Sequence, residues 1–355
     1  MDDPLTVGDL QDDLPQNYLE SFPFLPNQFY SELPLPRAMQ ALSQLICTVL
    51  TGDGSLSQGQ KQMLLRGVGT LLRNDACALY FRDAPQAKSP QERQLLRFSL
   101  KLAKLGPRVS IDDIELLRQV GFDDGGILEA AITTAIGRMF CTLADGLVPP
   151  PESAAQLADA GKFPDNSDPV VSAGSYLNPG PSLPDSFPPY QFFSEKFGFV
   201  PNIFRAQALR PGLLEIEAKV MDAALLGGDF LSRLQKEKIM LAVSAKNLNT
   251  YFVTVHSQIL KTLGVSAEEA DQIVSDHRSA ALSDADKFLL DFARGLANFE
   301  RKKFSVHDLK EKGFANSQII EAIALSALAN FLNTVQFGLG AVPDFPPRHI
   351  FPRQA

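Results

Sequence analysis

The segment from Glu237 to Ser257 contains the two side chains of this 355-residue chain that are best suited to moving protons, Glu237 and His256. Histidine ordinarily changes charge near neutral pH, and a carboxylate can orient it as a general acid or base. The same two residues can also form a buried hydrogen-bonded pair that only holds two helices together. The sequence leaves both interpretations open, and a pocket beside His256 would favour the catalytic one.

Three cysteines, Cys47, Cys77 and Cys141, are the candidate thiol nucleophiles. Their odd number and wide spacing indicate a reducing compartment rather than a disulfide framework. Cys47 and Cys141 occupy helical positions next to other apolar residues, so we interpret both as core residues. Cys77 has two possible roles. It is either a small buried packing residue or a single reactive thiol. In the second case a helix N-terminus and Arg73 or Arg82 would stabilise its thiolate form.

The remaining histidines are scattered and indicate no metal site. His277 and His307 each lie beside an aspartate, which predicts surface positions, and His349 lies in a proline-rich tail. No carboxylate cluster has metal-ligand spacing, and no glycine-rich phosphate loop is present. We therefore expect neither a metal nor a cofactor.

The chain contains an internal repeat, and the repeat determines how the candidate residues are positioned. The segment 22–29, FPFLPNQF, recurs as FGFVPNIF at 197–204, 175 residues later. Without a gap, the same offset pairs Gly52 with Gly227 and Asn74 with Asn249. Proline, glycine and asparagine fix backbone turns, so their recurrence at fixed positions indicates duplicated structure.

The ends of the two copies match at a larger offset, since Gly121-Phe122 corresponds to Gly313-Phe314, 192 residues later. The second copy therefore carries an insertion, which we place around 263–276 as an extra helical segment. We predict a first domain at 1–148, a Pro-rich linker at 149–182, a second domain at 183–344 and a tail at 345–355.

Each copy is predicted to be helical throughout. Capping-box patterns precede several segments, at Ser57…Gln60, Ser232…Gln235, Ser89…Glu92 and Ser266…Glu269. Apolar residues then recur at helical spacing, and no stretch alternates with period two beside hairpin turns. The fold class is therefore all-α, in two tandem helical domains.

Composition limits the possible partners. The net charge is −8 and no basic cluster is visible, which disfavours binding to nucleic acid or to an anionic membrane. The N-terminus lacks the features of a signal peptide, and no uninterrupted apolar run is expected to reach membrane-spanning length. Ile319 to Leu332 comes nearest and is interpreted as a buried helix. We expect a soluble, cytoplasmic protein.

The segment 237–257 resembles the active-site segment of the alkylhydroperoxidase D / carboxymuconolactone decarboxylase family, particularly its peroxidase-related branch. That family carries a Glu, then Ser-Ala-x-Asn, then Cys-x-x-Cys, then a His. The upstream segment 198–204 and Arg210-Pro211 are similar to the same branch, and the resemblance covers roughly 183–344. It implies AhpD-like helical domains that assemble into homo-oligomers. The matching residues are Glu237, Ser244, Ala245, Asn247, Tyr251, His256 and Ser257.

Both copies depart from the family at its redox dithiol, which reduces peroxides and gains thiolate character from a helix N-terminus. In the second copy the two cysteine positions are Asn249 and Phe252, so the proton relay is present without its nucleophile. The first copy lacks a complete set as well. There the cysteine positions are Asn74 and Cys77, the His position is Phe81 and the Glu position is Gln62.

Three functions are compatible with this pattern. The first is a peroxidase-related protein of the thiol antioxidant class, which requires Cys77 to react alone with a peroxide. The second is an acid–base enzyme of the carboxymuconolactone decarboxylase type that uses His256 and Glu237. The third is a non-catalytic structural or interaction module, in which the tandem copies form a built-in pseudo-dimer.

The acid–base hypothesis implies a small acidic or lactone-like substrate. A substrate carboxylate needs a cationic partner, and the candidates from the sequence are Arg205, Arg210 and Lys246.

Overall fold

The computed structural model describes residues 36–52, 54–147, 175–178, 183–227, 230–300 and 306–351. Within those residues the secondary structure is helical and contains no strand, which confirms the all-α prediction. The repeat segment 22–29, most of the predicted linker and the end of the tail lie outside the described residues.

Six α-helices form the first half of the described chain. Their bounds are α1 (Pro36–Thr51), α2 (Gln58–Leu71), α3 (Asp75–Tyr80), α4 (Pro90–Leu105), α5 (Ile111–Gln119) and α6 (Asp124–Leu147), with a 3₁₀ turn at Gly106–Arg108.

Nine α-helices form the second half. Their bounds are α7 (Pro188–Phe197), α8 (Asn202–Arg205), α9 (Pro211–Val220), α10 (Arg233–Lys246), α11 (Thr250–Thr262), α12 (Ala267–Asp276), α13 (Asp284–Ala297), α14 (Val306–Glu311) and α15 (Asn316–Leu339). A π-helical segment, Met221–Leu226, continues α9.

Local sequence signals account for where several helices begin. The capping boxes predicted at Ser57, Ser89 and Ser232 are present, each with the serine hydroxyl accepting from the backbone three residues later. Ser266 caps α12 by accepting from the backbone N–H of Glu269. These bonds satisfy backbone N–H groups that a helix start leaves unpaired.

Equivalent helices in the two halves have matching bounds. Helices α2 and α10 are 14 residues each and begin 175 positions apart, while α6 and α15 are 24 residues each and begin 192 positions apart. Helices α2 and α10 are each followed, after one residue, by a positive φ, 54° at Arg73 and 58° at Leu248. Helix α12 lies inside the segment 263–276, where the sequence comparison places the insertion.

The two halves meet through α6 and α15, which share the most extensive helix–helix contact of the described chain. A side chain at Gly146 would collide with Ile323, and one at Gly338 would collide with Ala131. Gly146 and Gly338 are 192 residues apart, as are Ala131 and Ile323, so the contact is reciprocal. Two glycines therefore let the long helices approach each other closely.

Two helices are long and apolar enough to cross a membrane by length and composition alone, Asp124–Gly146 and Asn316–Leu339. The second of these contains the stretch from Ile319 to Leu332, and its interpretation as a buried helix is confirmed. Their most apolar windows are 100% and 89% buried inside the protein, so packing of one helix on the other accounts for the apolar composition.

Part of the predicted linker is packed against both halves. Tyr176 and Leu177 are buried, and the backbone N–H of Tyr176 donates to the carbonyl of Leu339 at 2.8 Å. Arg118 donates to the carbonyl of Tyr176 at 3.0 Å. Residues 175–178 thus join the C-terminal end of α15 to the first half, which the Pro-rich composition alone did not indicate.

A buried ion pair recurs in each half and joins α2, with the loop before it, to α6, and α10, with the loop before it, to α15. Lys61 pairs with Glu129 at 2.9 Å, and Lys236 pairs with Glu321. The same carboxylates accept from the backbone N–H of Leu56 at 2.7 Å and of Leu231 at 2.6 Å.

We expect Glu321→Gln to lower the free energy of unfolding by about 3–5 kcal/mol, because it leaves the Lys236 ammonium buried without its counter-ion. Urea unfolding followed by circular dichroism measures the change. The control is Asp83→Asn, which breaks an exposed pair with Arg82 and should change stability by less than about 1 kcal/mol. Equal losses in both variants would contradict this.

Glu217 on α9 is a buried carboxyl that receives a 3.0 Å hydrogen bond from Gln207 Nε2, and burial raises its pKa to about 8. The folded state therefore binds its proton more tightly than the unfolded chain does. Its contribution to stability is present below the ordinary carboxyl pKa of 4.5 and is lost as pH rises through about 8.

We therefore expect Glu217→Gln to remove a fall in stability that the wild-type protein undergoes between those two pH values, amounting to a few kcal/mol at most. Urea midpoints measured across this range test the prediction. Glu215→Gln, an exposed change on the same helix, should retain the wild-type pH dependence. A parallel pH dependence in wild type and Glu217→Gln would refute it.

Candidate functional site

The glutamate and histidine singled out by the sequence form a direct pair. Glu237 lies on α10 and His256 on α11, and Nδ1 of His256 is 2.7 Å from Oε2 of Glu237. The chain turns between these helices at Leu248, and α10 and α11 then pack side by side. Glu237 is 0% exposed and His256 is 2% exposed, so the pair is shielded from bulk water.

Glu237 has a second partner on its own helix. Nη2 of Arg233 lies 2.6 Å from Oε1 of Glu237, at the i, i+4 spacing that places both side chains on one face. The guanidinium supplies the opposite charge that a buried carboxylate requires. The carboxylate is therefore held from two sides, by Arg233 and by His256.

This arrangement leaves one nitrogen of His256 unused by the fold. A carboxylate accepts the proton of Nδ1, which makes Nε2 the proton acceptor of the neutral ring. Nε2 is buried and has no hydrogen-bond partner among the described residues. The ring can therefore take a proton from, or return one to, a group that enters beside it.

A cavity of about 470 Å³ adjoins His256. Most of its wall is aromatic or aliphatic, and its polar groups are few, as is usual for a small-molecule site. The wall includes Phe197, Phe199, Pro201, Ile203, Phe204, Met221, Leu225, Leu226, Tyr251, Phe252, Val255, Ile259, Leu263, Leu332 and Phe345, with Lys196, Arg233, His256, Gln258 and Thr262.

The residues at the two cysteine positions of the second half have structural roles. Asn249 caps α11, accepting from the backbone N–H of Phe252 at 2.9 Å, and its amide donates to Gln336 Oε1 at 2.9 Å. Phe252 stacks on the ring of His256 with centroids 5.8 Å apart. The phenylalanine therefore forms part of the cavity wall rather than filling the cavity.

The corresponding positions of the first half contain a thiol and an aromatic side chain. Asn74 caps α3 as Asn249 caps α11, accepting from the backbone N–H of Cys77 at 2.8 Å. Cys77 is 0% exposed, and its Sγ lies 3.5 Å from the carbonyl oxygen of Leu65. Phe81 is buried against Tyr80, and Gln62 is half-buried. None of these residues lines the cavity beside His256.

The other two cysteines differ in burial. Cys141 is fully buried. Cys47 is half-buried beside the core, and desolvation raises the pKa of its thiol to about 12.

The cations that the sequence suggested for a substrate carboxylate do not line this cavity. Arg205 lies over the ring of Tyr190, Lys246 pairs with Glu300 at 3.0 Å, and Arg210 donates towards Glu129. The cavity instead contains Arg233 and Lys196. Arg233 was detectable as the i−4 neighbour of Glu237, whereas Lys196 reaches the site only through the packing of α7.

The predicted surface position of His277 is wrong. This histidine is buried, and its Nε2 lies 2.8 Å from Oδ1 of Asp291. Desolvation lowers its pKa below the ordinary value. His307 is exposed, as predicted, and His349 pairs with Asp271 at 2.8 Å. Among the described residues no three His, Cys, Asp or Glu side chains converge as a metal site.

Comparison with known proteins gives matches only among solved structures. No protein-family model matches the chain, and no curated protein matches it. One similar structure is an uncharacterized peroxidase-related protein from Silicibacter, with 22% identity and a TM-score of 0.44, covering 52% of this chain and 96% of the other. A second is an uncharacterized peroxidase-related protein from Ralstonia eutropha, described as an alkylhydroperoxidase AhpD core. It has 27% identity and a TM-score of 0.42, and the match covers 46% of this chain and 87% of the other.

Proposed function

We propose that the chain binds a small, largely apolar acid or lactone in the cavity beside His256 and exchanges a proton with it through Nε2. The observation that carries this proposal is that Nε2 of His256 has no hydrogen-bond partner among the described residues. The His256 ring lines the cavity, and its other nitrogen, Nδ1, is hydrogen-bonded to Glu237. The function is that of an acid–base enzyme of the carboxymuconolactone decarboxylase type.

Each polar residue has a separate role in this proposal. His256 is the catalytic base and then the acid, because its Nε2 is the unused proton acceptor. Glu237 is a positioning residue that holds the ring in one tautomer. Arg233 both neutralises Glu237 and extends to the cavity wall, where it can attract the carboxylate or carbonyl oxygen of a bound molecule.

The substrate class follows from the shape and lining of the cavity. A volume of about 470 Å³ suits a compact organic molecule, and the aromatic wall favours an apolar body. The cations Arg233 and Lys196 favour a negatively charged or strongly polarised end. A small acid or lactone combines these properties.

The proposal includes a family-level assignment and a duplicated architecture. The motif from Glu237 to His256 resembles the alkylhydroperoxidase D / carboxymuconolactone decarboxylase family, and peroxidase-related structures are among those similar to this chain. The recurring ion pairs, caps and reciprocal glycine contacts support two tandem copies. In this view the second copy is active and the first is its structural partner.

A thiol peroxidase function has less support. It would depend on Cys77. This residue is fully buried, and its thiol donates a hydrogen bond to the carbonyl oxygen of Leu65. The nearby histidine position is Phe81, so no imidazole accompanies the thiol. These contacts favour a packing role for Cys77. Homo-oligomerisation and a cytoplasmic location remain predictions from the sequence.

We expect nitrogen NMR of the protein with a neutral His256 ring to report a protonated Nδ1 and an unprotonated Nε2. This is the tautomer that a Glu237 carboxylate selects, because the carboxylate can only accept at Nδ1. Glu237→Gln should release that preference, and His256→Gln identifies the signal by removing it. Observation of Nε2–H as the dominant tautomer in the wild type would contradict the proposed role.

The acid–base function is tested by hydrogen–deuterium exchange at the carbon next to the carbonyl of a carboxylated unsaturated γ-lactone. In heavy water the base removes a proton and its conjugate acid returns a deuteron, so NMR of the lactone follows the reaction. We expect the wild type to accelerate exchange and His256→Gln to lower the rate by about 10²–10⁴-fold, as for loss of a general base.

The matched control is His277→Gln, which removes a buried histidine paired with a carboxylate outside the cavity and should leave the exchange rate unchanged. Binding of the lactone, measured by calorimetry, should weaken in Arg233→Gln and persist in His256→Gln. Equal exchange by wild type and His256→Gln, despite binding, would show that His256 moves no proton.

A further inference from the structure

A second cavity lies where the two halves meet. Its volume is about 260 Å³, and its wall comes from the C-terminal ends of α2, α4, α10, α13 and α15 together with the middle of α6. Its wall includes Lys104, Arg108, Arg138, Lys246, Asn247 and Phe299. It shares no residue with the cavity beside His256.

The charged residues of this wall are all cations. Lys104 and Arg108 come from the first half near the 3₁₀ turn, Arg138 comes from α6, and Lys246 ends α10. Lys246 is balanced by Glu300 at 3.0 Å. No Asp or Glu lines the cavity itself, although the chain as a whole has a net charge of −8. The charged side chains of this wall therefore have the opposite sign to the net charge of the chain.

Arg138 is the buried member of this group. Among the described residues its guanidinium hydrogen-bonds to two amide oxygens, Asn330 Oδ1 at 3.3 Å and Asn247 Oδ1 at 3.5 Å from Nη2. Nε of Arg138 is buried and has no hydrogen-bond partner among the described residues. The group also lies over the ring of Phe299, 5.7 Å from its centre.

No carboxylate of the described residues is paired with Arg138, and burial lowers its pKa to about 10. A buried cation is costly without a counter-ion, and a ring face with two long amide contacts compensates only part of that cost. An anion in the cavity would supply the missing charge and accept from the unused donor.

We propose that this cavity is a binding site for a small molecule carrying a carboxylate or phosphate group, with Arg138 as its principal ligand. Lys104 and Arg108 add positive charge from the first half, while Asn247 and the Glu300-paired Lys246 form the second-half side of the wall. The anion would thus bridge the two halves beside the contact of α6 with α15. A volume of about 260 Å³ limits it to a compact anion.

The test uses inorganic phosphate and malonate as probes with the full-length chain, at constant ionic strength set by chloride. We expect at least one probe to bind saturably in calorimetry and to raise the melting temperature. Arg138→Gln should weaken that binding about tenfold or more, as expected for a lost charge-assisted hydrogen bond. Binding of malonate alone identifies a carboxylate site, and binding of phosphate alone identifies a phosphate site.

The control is Arg348→Gln, which removes an exposed arginine paired with Asp271 and should leave the affinity unchanged. Lys104→Gln provides a second variant, because its exposed side chain can be changed without disturbing the fold, and should weaken binding by a smaller factor. Absence of saturable binding by both probes, or equal affinities in wild type, Arg138→Gln and Lys104→Gln, would overturn the proposal.

Discussion

The close packing of α6 against α15 is the contact on which the rest of the described structure depends. Both helices are almost completely buried, and glycines at Gly146 and Gly338 allow their backbones to approach. Each long helix also supplies the carboxylate that pairs with a buried lysine of its own half, Glu129 with Lys61 and Glu321 with Lys236. The core contact therefore positions the helices that carry the site.

The side chains that surround α3 in the first half differ from those that surround α11 in the second. Asn74 and Asn249 each cap the helix that follows by accepting from the backbone N–H three residues later, so the local backbone is alike at both caps. What differs is the set of side chains around that backbone. A glutamate, histidine and arginine surround a cavity in the second half, while Phe81 packs on its aromatic neighbours in the first.

The two cavities differ in the charge environment and hence in the ligands that suit them. The one beside His256 is mainly apolar, and its buried carboxylate, Glu237, is compensated by Arg233. The one between the halves contains cations from both, and its buried Arg138 has no carboxylate partner among the described residues. The proposed acid–base function and the proposed anion site are therefore physically independent, since they use different residues.

The sequence by itself determined the all-α fold and the helix starts at Ser57, Ser89 and Ser232, because caps and helical periodicity act over a few residues. The pairing of Glu237 with His256, on two different helices, was expected from the resemblance of the segment 237–257 to a family motif, and the structure places the two side chains 2.7 Å apart. Only the tertiary structure decided that His277 is buried and that the predicted tail contributes Phe345 to the wall of the cavity beside His256. It also decided which cations line that cavity. They are Arg233 and Lys196, not the predicted Arg205, Arg210 and Lys246. Burial and cavity lining depend on which surfaces of distant helices meet, and that information is not contained in local spacing.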